Sequence, residues 1–206
     1  MKTPPLTPQE ATAISRAIEA AENRTSGEIF VVVAQRADDY RLLPVLWAAL
    51  AALVLTWVLH LTVPLSTSNL LLIQTAIFAM WCLALTPDAT RLRTIPPPLA
   101  EAATERAARD QFLAHGVHLT AARTGVLIYA ALAEHRVEIV ADDGIAARVE
   151  QKEWDEIAAT VVVAAKENKL AEGLVRAVER SGTLLAQHFP PANNDRDELP
   201  NRVVEL

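Results

Sequence analysis

The sequence predicts an α/β fold: a small mixed β-sheet with helices packed on it, interrupted by a two-helix transmembrane hairpin. Two observations predict this architecture. Apolar runs typical of buried strands alternate with segments whose apolar residues recur at helical spacing. Between the first strand and the rest, residues 42–87 contain no Asp, Glu, Lys or Arg, although the 206-residue chain carries 19 basic and 25 acidic side chains.

Composition excludes several classes of protein. The uncharged stretch argues against a wholly soluble protein and a disordered chain, and its length is too small for a polytopic transporter. A net charge of −6 without a basic stripe argues against nucleic acid as a partner. The single cysteine, Cys82, lies inside the apolar stretch, which excludes disulfides and cysteine-based zinc sites within one chain.

The first part of the predicted domain spans residues 7–38. Thr7, Pro8 and Glu10 form a helix start, with an N-cap, a proline at the first helical position and a capping-box glutamate. The run Ile29–Ala34 then indicates a central strand covered on both faces. Such a strand needs partners, and these must come from beyond the apolar stretch.

The apolar stretch divides into two predicted spans, 42–65 and 68–87. As a helix, the first would be roughly 36 Å long, enough to cross a hydrocarbon core of about 30 Å. The second reaches a marginal crossing length only with its polar flanking residues. A tight, uncharged connector around Ser66 and Asn69 makes the pair a hairpin, and Trp47 and Trp81 would lie at one interface.

The cations predict the orientation of this hairpin. Arginines flank it on both sides and are missing from the connector; they are Arg36, Arg41, Arg91 and Arg93. Because cations are retained in the cytosol, we expect a cell (inner) membrane protein with two spans, its termini and soluble domain being cytoplasmic. The segment Met1–Glu10 lacks the apolar core of a signal peptide.

The second part of the predicted domain spans residues 96–189. A helix is expected over 99–114, strands over 126–132 and 137–141, and two further amphipathic helices after them. The segment 190–206 is rich in Pro, Asn and Asp, and we expect a tail that is disordered until at most its last few residues.

Three motifs in this second part resemble the TPM domain family: "RTGVLI", "HRVEIVADDGI" and "AEGLVRAVE". The resemblance covers 99–188 well and 7–35 loosely, and is similar to the bacterial branch that carries a membrane hairpin inside the domain. It implies a TPM-like fold. Acid phosphatase activity and calcium binding have been proposed for some members, while others look like assembly or regulatory factors. Most such members place the domain outside the cytosol, whereas the arginines here place it inside.

Four aspartates form a candidate metal site. Asp38 and Asp39 follow the first strand, and Asp142 and Asp143 follow the third. If these strand ends lie on the same side, the carboxylates converge into an oxygen cluster suited to calcium or magnesium. The alternatives are that Asp143 caps the next helix, that Asp38 and Asp39 lie in a solvated loop, and that Arg123 pairs with one of the aspartates.

Other candidate residues carry less chemistry. His115 and His118 are three residues apart, but Gly116 between them is expected to end the helix, which places His115 at a helix C-terminus instead of in a metal site.

The sequence shows no Ser-His-Asp set. We therefore expect a non-enzymatic interaction, assembly or regulatory module for a membrane complex, with the lipid bilayer and another membrane protein as partners. The alternatives are a divalent-cation-dependent, phosphatase-like hydrolase and a calcium-binding regulatory domain.

Overall fold

The structure is a computed structural model that describes residues 5–191 and 198–206. Its elements are, in chain order, α1 (Pro8–Glu22), β1 (Glu28–Ala34), α2 (Leu43–Thr62), α3 (Thr67–Leu85), α4 (Asp88–Arg93), α5 (Pro97–Ala114), a 3-10 turn (Val117–Leu119), β2 (Gly125–Ala131), β3 (Arg136–Ala141), α6 (Asp143–Ala146), α7 (Gln151–Lys166), α8 (Leu170–His188) and β4 (Val203–Glu205).

The strands form a mixed four-stranded sheet in the order β3-β2-β1-β4. β1 pairs in parallel with β2, from Glu28 opposite Gly125 to Ala34 opposite Ala131. β2 pairs antiparallel with β3 through a tight turn in which His135 has a φ of 53°. The parallel pairing of β1 and β2 is long-range, because four helices separate these strands in the sequence. The predicted α/β fold with a small mixed sheet is confirmed.

Both faces of the sheet are covered, which explains the unbroken apolar sequence of β1. Ile29, Val31 and Val33 point into one core, which helices α1, α7 and α8 complete. Phe30 and Val32 point into the other core, which α5 covers. All seven residues of β1 and all seven of β2 are buried. Successive side chains along these strands still point to opposite faces of the sheet, but both faces are covered by apolar layers.

Contacts divide the chain into two compact units. The first comprises the chain up to Ala37 and from Glu101 onward, and it contains the sheet. The second is Asp38–Ala100, in which α2 and α3 pack against each other. Ala48 and Ala52 are buried in this second unit, whereas many of its large apolar side chains are exposed to the surroundings.

The observed helix ends differ from the predicted ones where prolines act. The predicted span 42–65 ends as a helix at Thr62, because Pro64 pushes Val63 into an extended conformation, with φ −130° and ψ 128°. In contrast, α5 begins at Pro97, since a proline in the first helical turn loses no intrahelical hydrogen bond. The short helix α4 was not predicted.

The C-terminal segment contributes the fourth strand of the sheet. Among the last few residues, which the expectation of a disordered tail leaves open, Val203–Glu205 adds to β1 as a parallel strand. The backbone N–H of Leu206 also donates to the carbonyl of Val33 at 3.0 Å. These residues are ordered because the otherwise unpaired edge of β1 offers hydrogen bonds that compensate the cost of ordering them. Residues 192–197 lie outside the described residues.

Candidate functional site

The candidate site lies where β3 ends and α6 begins. Asp142 is the N-cap of α6, and its side chain accepts a hydrogen bond of 2.7 Å from the N–H of Asp143. The N–H of Asp142 donates to the carbonyl of Gly125 at 2.9 Å, which fixes Asp142 beside the start of β2. Asp142 is only 3% exposed, so its carboxylate is withdrawn from water at a sheet edge. Asp142, not the expected Asp143, therefore caps this helix.

Arg123 joins the two aspartates. Its Nη2 lies 3.0 Å from Oδ1 of Asp142 and 2.9 Å from Oδ2 of Asp143. Its Nη1 donates to the carbonyl of His118 at 3.0 Å. The structure thus realises the alternative in which Arg123 pairs with these aspartates. One guanidinium between two carboxylates leaves a formal charge of −1 on this group, which we call the Arg123 cluster (Arg123, Asp142 and Asp143).

Close backbone approach explains why glycine occurs beside the cluster. A Cβ on Gly144 would lie 2.5 Å from the carbonyl oxygen of Arg123, which is too close for any other residue without movement of the loop. A Cβ on Gly125 would lie 2.2 Å from the carbonyl oxygen of Val117. These glycines belong to "ADDGI" and "RTGVLI", so two of the motifs identified in the sequence form one packed site.

The loop that presents Arg123 is held by buried hydroxyl groups. The N–H of Thr124 donates to Oγ1 of Thr120 at 3.0 Å, and the Thr124 hydroxyl donates to the carbonyl of Ser26 at 2.8 Å. Arg123 itself has a φ of 55°, in the left-handed region that disfavours side chains with a Cβ. The backbone of the loop is therefore strained at Arg123, in the conformation that directs this side chain toward the aspartates.

One polar atom of the cluster has no partner in the part of the chain that the structure describes. Oδ2 of Asp142 is buried and accepts no hydrogen bond within the described residues. A buried carboxylate oxygen of this kind is costly unless water or a cation reaches it. Chemically, the Arg123 cluster can accept a hydrogen bond or bind a hard cation, and Asp142 and Asp143 are the residues that could hold one.

The two strands that precede the predicted pairs of aspartates, β1 and β3, run in opposite directions. β3 runs antiparallel to β2, and β2 runs parallel to β1. The C-terminal end of β3 therefore lies at the opposite end of the sheet from the C-terminal end of β1. The condition for a four-carboxylate cluster is therefore not met. Asp38 accepts a hydrogen bond from the N–H of Tyr40 at 3.2 Å, and Asp39 pairs with Arg41 at 2.8 Å. Among the described residues there is no group of three or more His, Cys, Asp or Glu side chains able to hold a metal ion.

His115 and His118 each pack against an aromatic ring. The ring of His115 lies 4.7 Å from that of Phe30, and burial together with the charge of Arg202 lowers the pKa of His115. His118 lies 6.2 Å from the ring of Phe112. Gly116 between them has a φ of 68° and ends the helix, as the sequence predicted.

Sequence reasoning missed one buried acid, Glu28. This residue opens β1 and is 6% exposed. Its two carboxylate oxygens accept the N–H groups of Glu198 and Leu199, at 3.3 and 3.2 Å, and so hold the C-terminal segment against the sheet. A glutamate at the start of an otherwise apolar strand was the available signal, but its partners lie about 170 residues away in the chain.

Comparison with known proteins agrees with this fold. The family model of the TPM domain matches residues 92–184. No curated protein matches the chain. Among solved structures, the NMR structure of the BA42 protein from the psychrophilic bacterium Bizionia argentinensis is similar, with a TM-score of 0.60 and 24% identity. The similarity covers 98% of this chain and 95% of that chain, and at this identity it establishes the fold alone.

The matched segment begins after the two apolar helices and ends in α8, so α1 and the central strand β1 lie outside it. It includes every residue of the Arg123 cluster and both close-packed glycines. Residues 92–184 of the chain therefore match the TPM domain, and the "RTGVLI" and "ADDGI" motifs within them meet at the Arg123 cluster.

Proposed function

We propose that this protein is anchored in the cell membrane by α2 and α3, and that its TPM domain is a non-enzymatic module that docks on another membrane protein. One observation carries the membrane part of the proposal. Both helices are long and apolar enough to span a bilayer, and only 11% and 6% of their apolar windows are buried within the structure. A soluble protein would cover such helices.

The cost of leaving these side chains in water supports lipid as their surroundings. Exposed apolar residues line both helices, among them Leu46, Leu53 and Trp57 on α2 and Leu72 and Met80 on α3. Each such side chain loses about 1.5–3 kcal/mol when it stays in water instead of entering an apolar medium. A patch of this extent on a soluble monomer would lead to aggregation, whereas hydrocarbon tails satisfy it.

The flanking arginines support the orientation that we propose. Arg36 and Arg41 precede the first helix, Arg91 and Arg93 follow the second, and the connector is uncharged. Cations in short flanking segments are retained in the cytosol, so the TPM domain lies in the cytosol and only the connector crosses.

A docking role for the domain is favoured over catalysis by the state of its aspartates. Asp142 and Asp143 are both paired with Arg123, which neutralises part of the charge that a cation would need. The partner would be a membrane protein or complex, because the anchor restricts the domain to the membrane surface and thereby raises its local concentration there.

Membrane fractionation and co-purification test the proposal. The full chain should stay in the pellet after an alkaline carbonate wash and be released only by detergent. A crosslinker applied to intact membranes should then link the wild-type domain to a distinct membrane protein. Release by carbonate alone would contradict the anchor, and a wild-type chain that crosslinks to nothing would contradict the docking role.

A second candidate function has one observation in its favour. The unpartnered, buried Oδ2 of Asp142 could complete a calcium or magnesium site, either in a regulatory domain or in a phosphatase-like hydrolase. A cation there would compete with Arg123 for the same carboxylates. The thermal-shift measurement described in the Discussion separates this candidate from the docking module.

A further inference from the structure

The strand β3 leaves one edge of the sheet unpaired. It is the terminal strand in the order β3-β2-β1-β4, and no strand of the described chain pairs with its outer side. The Asp142 N–H donates to the Gly125 carbonyl, which sets the alternation of the antiparallel ladder. By this alternation, the backbone groups of Val137, Ile139 and Ala141 point away from β2. None of these N–H and C=O groups makes a hydrogen bond within the described residues.

Charged side chains flank this edge on the side of α5. Arg136 pairs with Glu101 at 3.2 Å, and Arg109 pairs with Glu105. Glu138 lies opposite Tyr129 in the ladder, and its side chain makes no hydrogen bond or ion pair within the described residues, although it is only partly exposed. Burial raises the pKa of Glu138, and the nearby charge of Glu105 raises it further.

Edge strands often carry charges that prevent unwanted pairing, usually exposed lysines. Glu138 differs because it is partly buried among other acids, and Arg109, a cation whose charge acts on it, is already paired with Glu105. A second copy of the chain fits this edge poorly in the antiparallel registers that use most of the strand. Antiparallel self-pairing centred on Glu138 or Ile139 would place two Glu138 carboxylates opposite or diagonal to each other, which is destabilising.

We propose that the free edge of β3 is where a partner protein docks, by adding an extended segment as a fifth strand with a lysine or arginine opposite Glu138. This inference rests on the proposed docking function and names its surface and the chemistry of its partner. Main-chain hydrogen bonds to Val137, Ile139 and Ala141 would supply affinity, and the cation at Glu138 would supply specificity and register.

The two sides of the edge define the sequence that fits. The position opposite Glu138 faces the α5 side, where acids outnumber cations, so it takes a basic side chain. The positions next to it face the side of Val137 and Ala141, which are only partly buried, so they take apolar side chains that extend the core. A segment alternating basic and apolar residues satisfies both sides.

Hydrogen exchange on the full chain in a nonionic detergent tests this proposal. The probe is a seven-residue peptide alternating lysine and valine, and its counterpart alternates glutamate and valine. The lysine peptide should bind and slow amide exchange in the segment 136–142, whereas the glutamate peptide should do neither. Glu138→Lys should weaken binding of the lysine peptide about tenfold. Glu179→Lys, at an exposed position on α8, should leave binding unchanged.

A second variant separates backbone pairing from charge. Val137→Pro removes one outward N–H and keeps the hydrogen bonds to β2. It should therefore weaken binding of the lysine peptide although Glu138 is intact. Equal binding of both peptides, or binding that leaves exchange in 136–142 unchanged, would overturn the edge proposal. The docking function is tested separately: if Glu138→Lys still crosslinks to the membrane partner of the wild-type chain, docking stands and the edge proposal falls.

Discussion

Replacing Arg123 by alanine is the sharpest perturbation of the candidate site. The change removes the guanidinium that lies 3.0 Å from Asp142 and 2.9 Å from Asp143. It leaves the Asp142 carboxylate, whose side chain is 2% exposed, without a counter-charge. The backbone strain from the φ of 55° at position 123 is retained, because alanine also carries a Cβ. The variant therefore removes the ion pairs and the hydrogen bond to the His118 carbonyl, while the backbone strain at position 123 stays in place.

The expected loss of stability follows from the exposure of both partners. Breaking a fully buried ion pair by removing one partner costs about 3–5 kcal/mol. The Arg123 side chain is 48% exposed, so water entering the vacated space solvates Asp142 in part. Charge-assisted hydrogen bonds are worth about 1.5–3 kcal/mol, and we expect a loss of about 2 kcal/mol. For a domain of this size, that lowers the melting temperature by about 4–8 °C.

Thermal unfolding of the full chain in detergent, followed by circular dichroism, measures this loss. Arg123→Gly serves as the matched control, because glycine relieves about 1 kcal/mol of left-handed strain and should be less destabilising than alanine. In an Asp142→Asn background, Arg123→Ala should cost clearly less than in the wild type, because the buried charge is gone. An Arg123→Ala variant as stable as the wild type would refute the structural role of the Arg123 cluster.

Three further predictions follow from the same structure. Millimolar calcium or magnesium should leave the melting temperature of the wild type unchanged, because Arg123 already holds the carboxylates; a rise that Asp142→Asn abolishes would instead establish a cation site. Joining Gln35 to Pro96 through a short linker, without the two apolar helices, should give a soluble protein that unfolds cooperatively; aggregation would show that these helices belong to the core. Glu138→Gln should raise the melting temperature at pH 7. Since the folded-state pKa of Glu138 is raised, its stability contribution is present below the ordinary glutamate pKa of about 4.3 and lost as pH rises through the folded pKa, so the advantage of glutamine should vanish in acid.

Local patterns in the sequence predict most of the individual elements. The capping box at Thr7 and Glu10 is present, with Glu10 accepting from the Thr7 N–H at 2.7 Å. The predicted strands are observed within one residue of their expected bounds, since runs of β-branched residues and the turn between them act locally. Elements of this kind depend on neighbours within a few residues, which a single sequence contains.

Contacts between elements that lie far apart in the sequence were harder to predict. The expected convergence of Asp38 and Asp142 required the directions of β1 and β3 to agree. The direction of β1 relative to the β2–β3 hairpin follows from its long-range parallel pairing with β2. The fourth strand was missed because Val203–Glu205 is too short to give a period-two pattern, and Glu28 anchors it from the other end of the chain. The Arg123 pairing could be stated as an alternative, but only the position of its guanidinium, 3.0 Å from Asp142 and 2.9 Å from Asp143, decides in its favour.

The topology of the membrane anchor is the central claim, and paired reporter fusions test it most directly. One reporter that reads the side of the membrane is placed after Arg36, and another after Leu206. The account predicts that both read cytoplasmic, because Arg36, Arg41, Arg91 and Arg93 flank an uncharged connector. Either reporter on the far side of the membrane would contradict the cytosolic docking module and place the TPM domain outside the cytosol.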